Sequence, residues 1–476
     1  MDPLVATTRG RVRGVAREHD IAFLGIPYAQ PPFGRLRFAE PAPVDEWKGV
    51  IEATKFAPTA PQPERRFTLI PEPIIEGGDA PPCLSLNVFS PIEAAKNDAG
   101  APVFVWIHGG GFTAGTPSSP WYDGVAFTRD GVVVVSIGYR LGCEGFLRLD
   151  GAPANRGVLD CIAGLEWVHE NVERFGGDPA RVTVGGQSAG GGMVTILAAH
   201  PRAAQLCRGV IAMSGTAMRL GGTERAARTA AKISETAGLP ATVDAFATLD
   251  PSKLIEIQEA ARLDRSTSLG PTVDGAVIAS YLPAAIDAGA TASLPILAGA
   301  TTEETVGPQR DAKATVDELN ALLDRLGLDE AGRRAFRAMY PKAKNGELRA
   351  RALTDSEFRV GPVRLAERRA AAGTAPTFLY ETAWRSPGLD KIGAVHCIDV
   401  PFAFDCLDHE WAQHVCGGRA PQAMADAMHG AFVRFIASGK PGWPAYDPDG
   451  QRSTMIFDAK SSVADDPHAA LRAIWP

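Results

Sequence analysis

Two uninterrupted apolar runs dominate the first half of the chain. "APVFVWIHGGGF", from Ala101 to Phe112, reads as a strand over Val103–Ile107 that runs into a glycine loop. "GVVVVSIGYR", from Gly131 to Arg140, carries mostly β-branched residues from Val132 to Ile137 between two glycines. Strands that are apolar on both faces suit the interior of a parallel sheet. Further on, Leu159, Ile162, Leu165, Val168, Val172 and Phe175 recur at three- and four-residue steps. That spacing predicts an amphipathic helix, with Gly176 and Pro179 as its stop signal. A short strand, Arg181 to Val184, comes next, then a serine turn and a second helix through about Ala199. Strand, helix, strand, helix predicts βαβ units and an α/β fold, a mostly parallel central sheet flanked by helices.

The second half reads differently. From Thr223 to Leu263 the pattern is helical and Ala-rich, and "TVDELNALLDRL" opens a helix with a capping box, Thr315 and Glu318. Strand candidates "LPILAG" and "PTFLYETAW" belong to the sheet. The expectation is a single domain, residues 1–476, with helical cap insertions near 218–268 and 309–372. "KPGWPAYDPDG" reads as a Pro/Gly-rich surface turn.

Composition narrows the function classes. The 476 residues are 45% hydrophobic, ample for a large buried core, and the net charge of −7 argues against nucleic acid or an anionic membrane as partner. No run of about 18 apolar residues is present, so no membrane span is expected. The start, "MDPLVATTRG", lacks the basic and then apolar stretch of a signal peptide. Seven cysteines, odd in number and irregularly spaced, fit free thiols in a reducing cytoplasm better than a disulfide frame. No CxxC, HExxH or EF-hand pattern occurs, so no metal site is expected.

The candidate chemistry starts at "VTVGGQSAGGGM", where Gly186-Gln187-Ser188-Ala189-Gly190 forms a GxSxG. With 50 glycines in the chain, such a pattern arises by accident in roughly one sequence in four. Its context is more specific, because it follows a strand and precedes a helix, as a nucleophile elbow requires. The plain alternative is a glycine-rich strand–helix junction with no chemistry. Upstream, His108-Gly109-Gly110-Gly111-Phe112 follows an apolar strand directly. Glycines there let a substrate carbonyl approach backbone N–H groups closely enough for them to hold an oxyanion, together with the N–H after the serine, Ala189. A phosphate loop is the alternative, but no Lys-Ser/Thr follows and no GxGxxG is present.

With these motifs in hand, the sequence resembles the type B carboxylesterases, the bacterial para-nitrobenzyl-esterase-like relatives of cholinesterases and liver carboxylesterases. "FLGIPYAQPPFGRLRF", "CLSLNVFSP", "WIHGGGF", "NRGVLD", "LEWVHENVERFGGDPARVTVGGQSAGG", "PTVDG", "GAVHCIDVPFAF" and "MHGAFVRFIASGKPGWPAY" follow one another in the family's order. The resemblance implies an α/β-hydrolase fold and a serine esterase working on a small-molecule ester without cofactor. It implies Ser188 as nucleophile, Glu304 as the acid and His396 as the base, with Gly110, Gly111 and Ala189 as the oxyanion hole. Glu303 takes the neighbouring non-catalytic acidic position, and His409, His414 and His429 rival His396 by residue type alone. Ser214, in an "SG" step, is expected to support the acid loop by hydrogen bonding. Phe112 is expected either in the substrate pocket or in the core.

Several positions depart from the family pattern. Gln187 stands where a Glu is usual, which makes cationic choline esters poor substrates. Pro81-Pro82 replaces an acidic stretch that would pair with Arg140, so the partner of Arg140 is open. Cys83 has no cysteine in its expected partner region, and the loop from Gln62 to Pro82 lacks the tryptophan that binds quaternary ammonium in cholinesterases. Cys161 stands where a Gln is usual. The resulting expectation is a cytoplasmic bacterial carboxylesterase for esters of small uncharged alcohols, monomeric or homodimeric. An amidase, a thioesterase or a specialised toxin or drug esterase would use the same site. A non-catalytic adhesion or scaffold protein on this fold would typically have lost a member of the triad.

Overall fold

The computed structural model describes residues 3–64, 68–78, 80–94, 100–310 and 312–475; Met1 and Asp2, where the segment read for a signal peptide begins, lie outside them. Eleven strands form the main sheet. In chain order they are β1 (Val15–Ala16), β2 (Asp20–Pro27), β3 (Ser85–Pro91), β4 (Ala101–Ile107), β5 (Val133–Ile137), β6 (Gly177–Gln187), β7 (Gly209–Met213), β8 (Ile296–Thr301), β9 (Thr377–Thr382), β10 (Ser453–Phe457) and β11 (Ser462–Asp465). Their spatial order is β11-β10-β9-β8-β7-β6-β4-β5-β3-β2-β1. The seven strands from β10 to β5 are mutually parallel, and antiparallel pairs close both edges.

The apolar runs are explained by the two buried faces of this sheet. Val103, Val105 and Ile107 of β4 enter one core cluster, while Phe104 and Trp106 enter another on the opposite face. In β5, Val133, Val135 and Ile137 join the first cluster and Val134 the second. Successive side chains of a strand point to opposite sides, so a strand covered on both faces cannot alternate polar and apolar. Helices α1 (Arg156–Asn171) and α2 (Ala189–Ala199) fill the first face.

The helix predicted through Phe175 ends earlier, at Asn171. Val172–Phe175 tighten into a 3₁₀ turn, and Gly176 takes the left-handed conformation at φ 81°. The strand after it is longer than the sequence pattern suggested. Ala101 pairs with Gly177 and Val103 with Val182, so the intervening residues, Pro179 among them, bulge out of the ladder. Proline is tolerated there because a bulge needs no ladder hydrogen bond.

Between β7 and β8 lie α3 (Thr223–Ala237) and α4 (Pro251–Ala260). Between β8 and β9 lie α5 (Val316–Arg325), α6 (Glu330–Met339), α7 (Asn345–Thr354) and α8 (Val360–Ala371), with a π-helical segment, Asp355–Arg359, joining the last two. The capping box of Thr315 and Glu318 is formed at the start of α5. The last long helix, α9 (Gln422–Ser438), sends Met424, Met428, Phe432 and Phe435 into the second face. The Pro/Gly-rich segment after it is more than a surface turn: Trp443 and Tyr446 are buried, the Trp443 indole N–H donating to the Leu379 carbonyl of β9 at 3.1 Å.

Candidate active site

The sheet order contains a switch point. The chain leaves β4, pairs β5 on one side of it, and returns as β6 on the other. Loops after adjacent parallel strands on either side of such a reversal diverge and leave a crevice at the carboxyl edge. The glycine loop after β4 and the serine turn after β6 are those two loops.

Ser188 sits between β6 and α2 at φ 59° and ψ −121°, a strained conformation for a side-chain-bearing residue. Two hydrogen bonds hold it: its N–H donates to the Met213 carbonyl at 2.8 Å, and its own carbonyl accepts from Gly192 N–H at 3.0 Å. The flanking glycines are required by contact. A Cβ on Gly190 would lie 2.0 Å from the Ile107 carbonyl oxygen, and one on Gly186 would lie 2.5 Å from the Gly190 carbonyl. On the opposing loop, a Cβ on Gly109 would lie 3.1 Å from the Ser188 Cβ, so the two turns touch. Gly110 and Gly111 both take positive φ, 106° and 64°, and a Cβ on Gly110 would overlap the Ala114 carbonyl at 1.9 Å. His108 anchors this loop. Its ring stacks on Tyr139 at 4.5 Å, its Nδ1 lies 2.8 Å from the Gly109 carbonyl, and burial lowers its pKa to about 4, so it stays neutral.

His396 and Glu304 are brought together by a short ladder between two loops. Glu303 N–H donates to the Ala394 carbonyl at 2.9 Å, and His396 N–H to the Glu304 carbonyl at 3.0 Å. That register sets the Glu304 carboxylate on His396 Nδ1 and leaves the Glu304 side chain fully buried. Thr301 N–H holds the other carboxylate oxygen at 2.8 Å. Burial disfavours the imidazolium, but Cys397 and the Glu304 carboxylate, with a hydrogen bond to each, outweigh it and hold His396 well above its ordinary pKa. The Cys397 thiol is itself pushed up by burial and is neutral at pH 7, which leaves the Glu304 charge as the physical cause.

Glu303 faces the other way, toward Arg310 at 3.1 Å and Arg351 and Arg385 at 3.3 Å each. The other histidines are engaged elsewhere. His429 bridges the Ala403 carbonyl and Asp130 at 2.9 Å each, His409 caps the 410–415 helix through Trp411 N–H, and His414 packs on Trp411.

Of the support residues, Ser214 differs from expectation. Ser214 is fully buried at φ 46°, but its hydroxyl has no hydrogen-bond partner among the described residues. It is the Ser214 N–H that ties the end of β7 to β8, donating to the Gly299 carbonyl at 2.8 Å. Phe112 is half-buried, packed edge-to-face on Phe146 at 5.4 Å and close to Gly270 and Gly192. The Gln187 side-chain amide nitrogen lies 3.2 Å from His396 Nε2. Gln187 thus meets the imidazole nitrogen opposite the one that Glu304 holds.

A family model described as the Carboxylesterase family matches residues 1–470. The chain belongs to the carboxylesterase family. It is 32% identical to the para-nitrobenzyl esterase of Bacillus subtilis (strain 168), over 98% of this chain and 97% of that one. Phenmedipham hydrolase of Pseudarthrobacter oxydans is 30% identical over 98% and 97%. The crystal structure of a Geobacillus stearothermophilus carboxylesterase at pH 6.2 superposes with a TM-score of 0.89 at 34% identity, covering all of both chains. The α/β-hydrolase fold and ester hydrolysis follow from this membership.

Within the carboxylesterase frame, the partner of Arg140 is Asp160. The guanidinium grips it in two parallel bonds of 2.8 and 2.7 Å, with both side chains buried. An acid inside the apolar stretch of α1 was the sequence signal for it. Its neighbour Cys161 is fully buried in the first core cluster, a small apolar filler. All seven cysteines are free. Among the described residues no group of three or more His, Cys, Asp or Glu side chains is arranged to hold a metal, and no helix is long and apolar enough to cross a membrane.

Proposed function

We propose that this carboxylesterase works through an acyl-enzyme in which Ser188 is the nucleophile, His396 the base and Glu304 the group that orients it. The observation that carries the reading is the Glu304–His396 contact, set by a backbone ladder beside a strained serine turn. His396 Nε2 leaves the Gln187 amide and takes the Ser188 proton as the oxygen attacks the ester carbonyl. Glu304 stabilises the imidazolium that forms. N–H groups of Gly110, Gly111 and Ala189 hold the oxyanion, each donor contributing about 3 kcal/mol in sites of this kind. The imidazolium protonates the leaving alcohol, and water then releases the acid by the same steps in reverse.

The neutral Gln187 beside His396 supports uncharged alcohols over cationic ones as leaving groups. Free thiols throughout support a cytoplasmic location in a bacterial cell, and chromatography of the native protein decides between monomer and homodimer. The single domain with two helical cap insertions is proposed on the placement of α3–α4 and α5–α8 between sheet strands. The test is pre-steady-state hydrolysis of p-nitrophenyl butyrate. The wild type should release a stoichiometric burst of p-nitrophenol, and Ser188→Ala should release none. Equal turnover by both proteins would refute the assignment. A matched ester and amide pair separates an esterase from an amidase.

A further inference from the structure

A cavity of about 940 Å³ lies where the two helical insertions meet, and five arginines line it against three carboxylates. The acids are already engaged. Asp287 pairs with Arg368, Glu357 with Arg265, and Glu367 with Arg452, Arg472 and the Tyr446 hydroxyl. Arg225 donates to the Pro271 carbonyl at 2.9 Å, and Arg364 reaches the Arg472 and Trp475 carbonyls. The Nε of each is buried without an acceptor among the described residues. Burial lowers Arg225, Arg265 and Arg219, and each has a further arginine nearby that pushes the same way: Arg228, Arg325 and Arg364. In a chain of net charge −7, concentrating positive charge in a half-enclosed space costs stability unless an anion enters it.

Two segments of the cavity lining adjoin residues that touch the catalytic pair. Thr216 and Met218 follow Gly215, where a Cβ would lie 2.0 Å from the Ser188 carbonyl oxygen. Ser356, Glu357 and Val360 bracket Phe358, whose ring lies 4.9 Å from the His396 imidazole. The π-helical turn at 355–359 is what delivers Phe358 to that position.

We propose that this cavity receives a carboxylate at the remote end of the ester substrate, an inference that rests on the catalytic assignment above. The preferred substrates are then half-esters of dicarboxylic acids or O-acyl hydroxy acids, rather than neutral esters of equal length. Two series test it. Monoethyl esters from succinate to suberate place the charge on the acyl side, and O-acetyl ω-hydroxy acids place it on the alcohol side. Each compound is compared with the ester bearing a methyl in place of the carboxylate. In one series kcat/KM should favour the anion about tenfold or more at an optimum length, a preference that falls as salt rises. Arg225→Gln should remove that preference and leave the neutral ester unchanged. Binding of adipate to Ser188→Ala, read by calorimetry, needs the cavity but no chemistry, and should weaken when Arg225→Gln is added. Neutral esters cleaved with no anion preference in either series, and no adipate binding, would overturn the inference while leaving the catalytic reading intact. Adipate binding without turnover of any ester would sink the catalytic reading alone.

Discussion

Replacing Gln187 by Glu places a carboxylate where an amide now meets His396 Nε2 at 3.2 Å. At that separation the attraction to an imidazolium is about 1.3 kcal/mol in a water-like dielectric and about 5 kcal/mol at an effective dielectric of 20. The His396 side chain is 27% exposed, so the weaker end applies, and the pKa should rise by roughly 1–2 units. The sign follows from the role of the residue. The base must be neutral to accept the Ser188 proton, so raising its pKa moves the acid limb of kcat/KM to higher pH. Below both limbs the variant should be roughly 10–100-fold slower, and on the alkaline plateau it should match the wild type within a few-fold. The assay is the pH profile of kcat/KM for p-nitrophenyl butyrate, corrected for spontaneous hydrolysis. Glu304→Gln is the opposing control. Removing the charge on Nδ1 should move the limb down and lower the plateau by about 10³–10⁴-fold. An acid limb that shifts by less than about 0.3 unit in Gln187→Glu would refute the contact between residue 187 and the base.

Other perturbations follow from the same structure. Gly190→Ala forces a Cβ to 2.0 Å from the Ile107 carbonyl, so the serine turn must open; activity should fall at least tenfold and thermal denaturation should show a loss of about 1–3 kcal/mol. Asp160→Asn leaves Arg140 buried without its counter-charge, which should cost about 3–5 kcal/mol in urea denaturation, whereas the double replacement Arg140→Met with Asp160→Leu should cost less. Asp399 is fully buried with one carboxylate oxygen unpartnered among the described residues; burial first, then the Glu304 charge, push its pKa from 3.8 up to about 7 against an opposing pull from His396. The folded state therefore holds a proton that the unfolded chain releases near pH 4, and stability should decline as pH rises from 4 toward 7. Asp399→Asn should flatten that part of the Tm–pH curve, and an unchanged slope would show that Asp399 is not its source.

Much of the fold was legible because its physical causes are local. A strand buried on both faces must be apolar at every position, which made β4 and β5 visible, and a helix packed on one face must repeat at three and four residues, which made α1 visible. Gly186 and Gly190 carry the same kind of signal, since a strained turn pressed against a neighbouring strand excludes any side chain. Element ends were less legible. Asn171 ends the helix and Gly177 begins the strand because of pairing with Ala101, a contact with a residue far upstream that no local pattern encodes. The placing of Glu304 and His396 came from resemblance to a family, not from periodicity.

By itself, then, the amino-acid sequence determined which segments form strands and helices, where the chain must turn tightly, and which residue types were available for acyl transfer. The tertiary structure supplies the physical reason that Glu304 rather than Glu303 meets the histidine: the two differ by the facing of one residue, and the ladder to Ala394 and His396 sets that facing. It also decided that Asp160 neutralises Arg140, that Gln187 rests on the imidazole, and that arginines from two insertions converge on one cavity. These are contacts between residues distant in sequence. Their energies depend on separation and burial in space, quantities that exist only once the chain has folded.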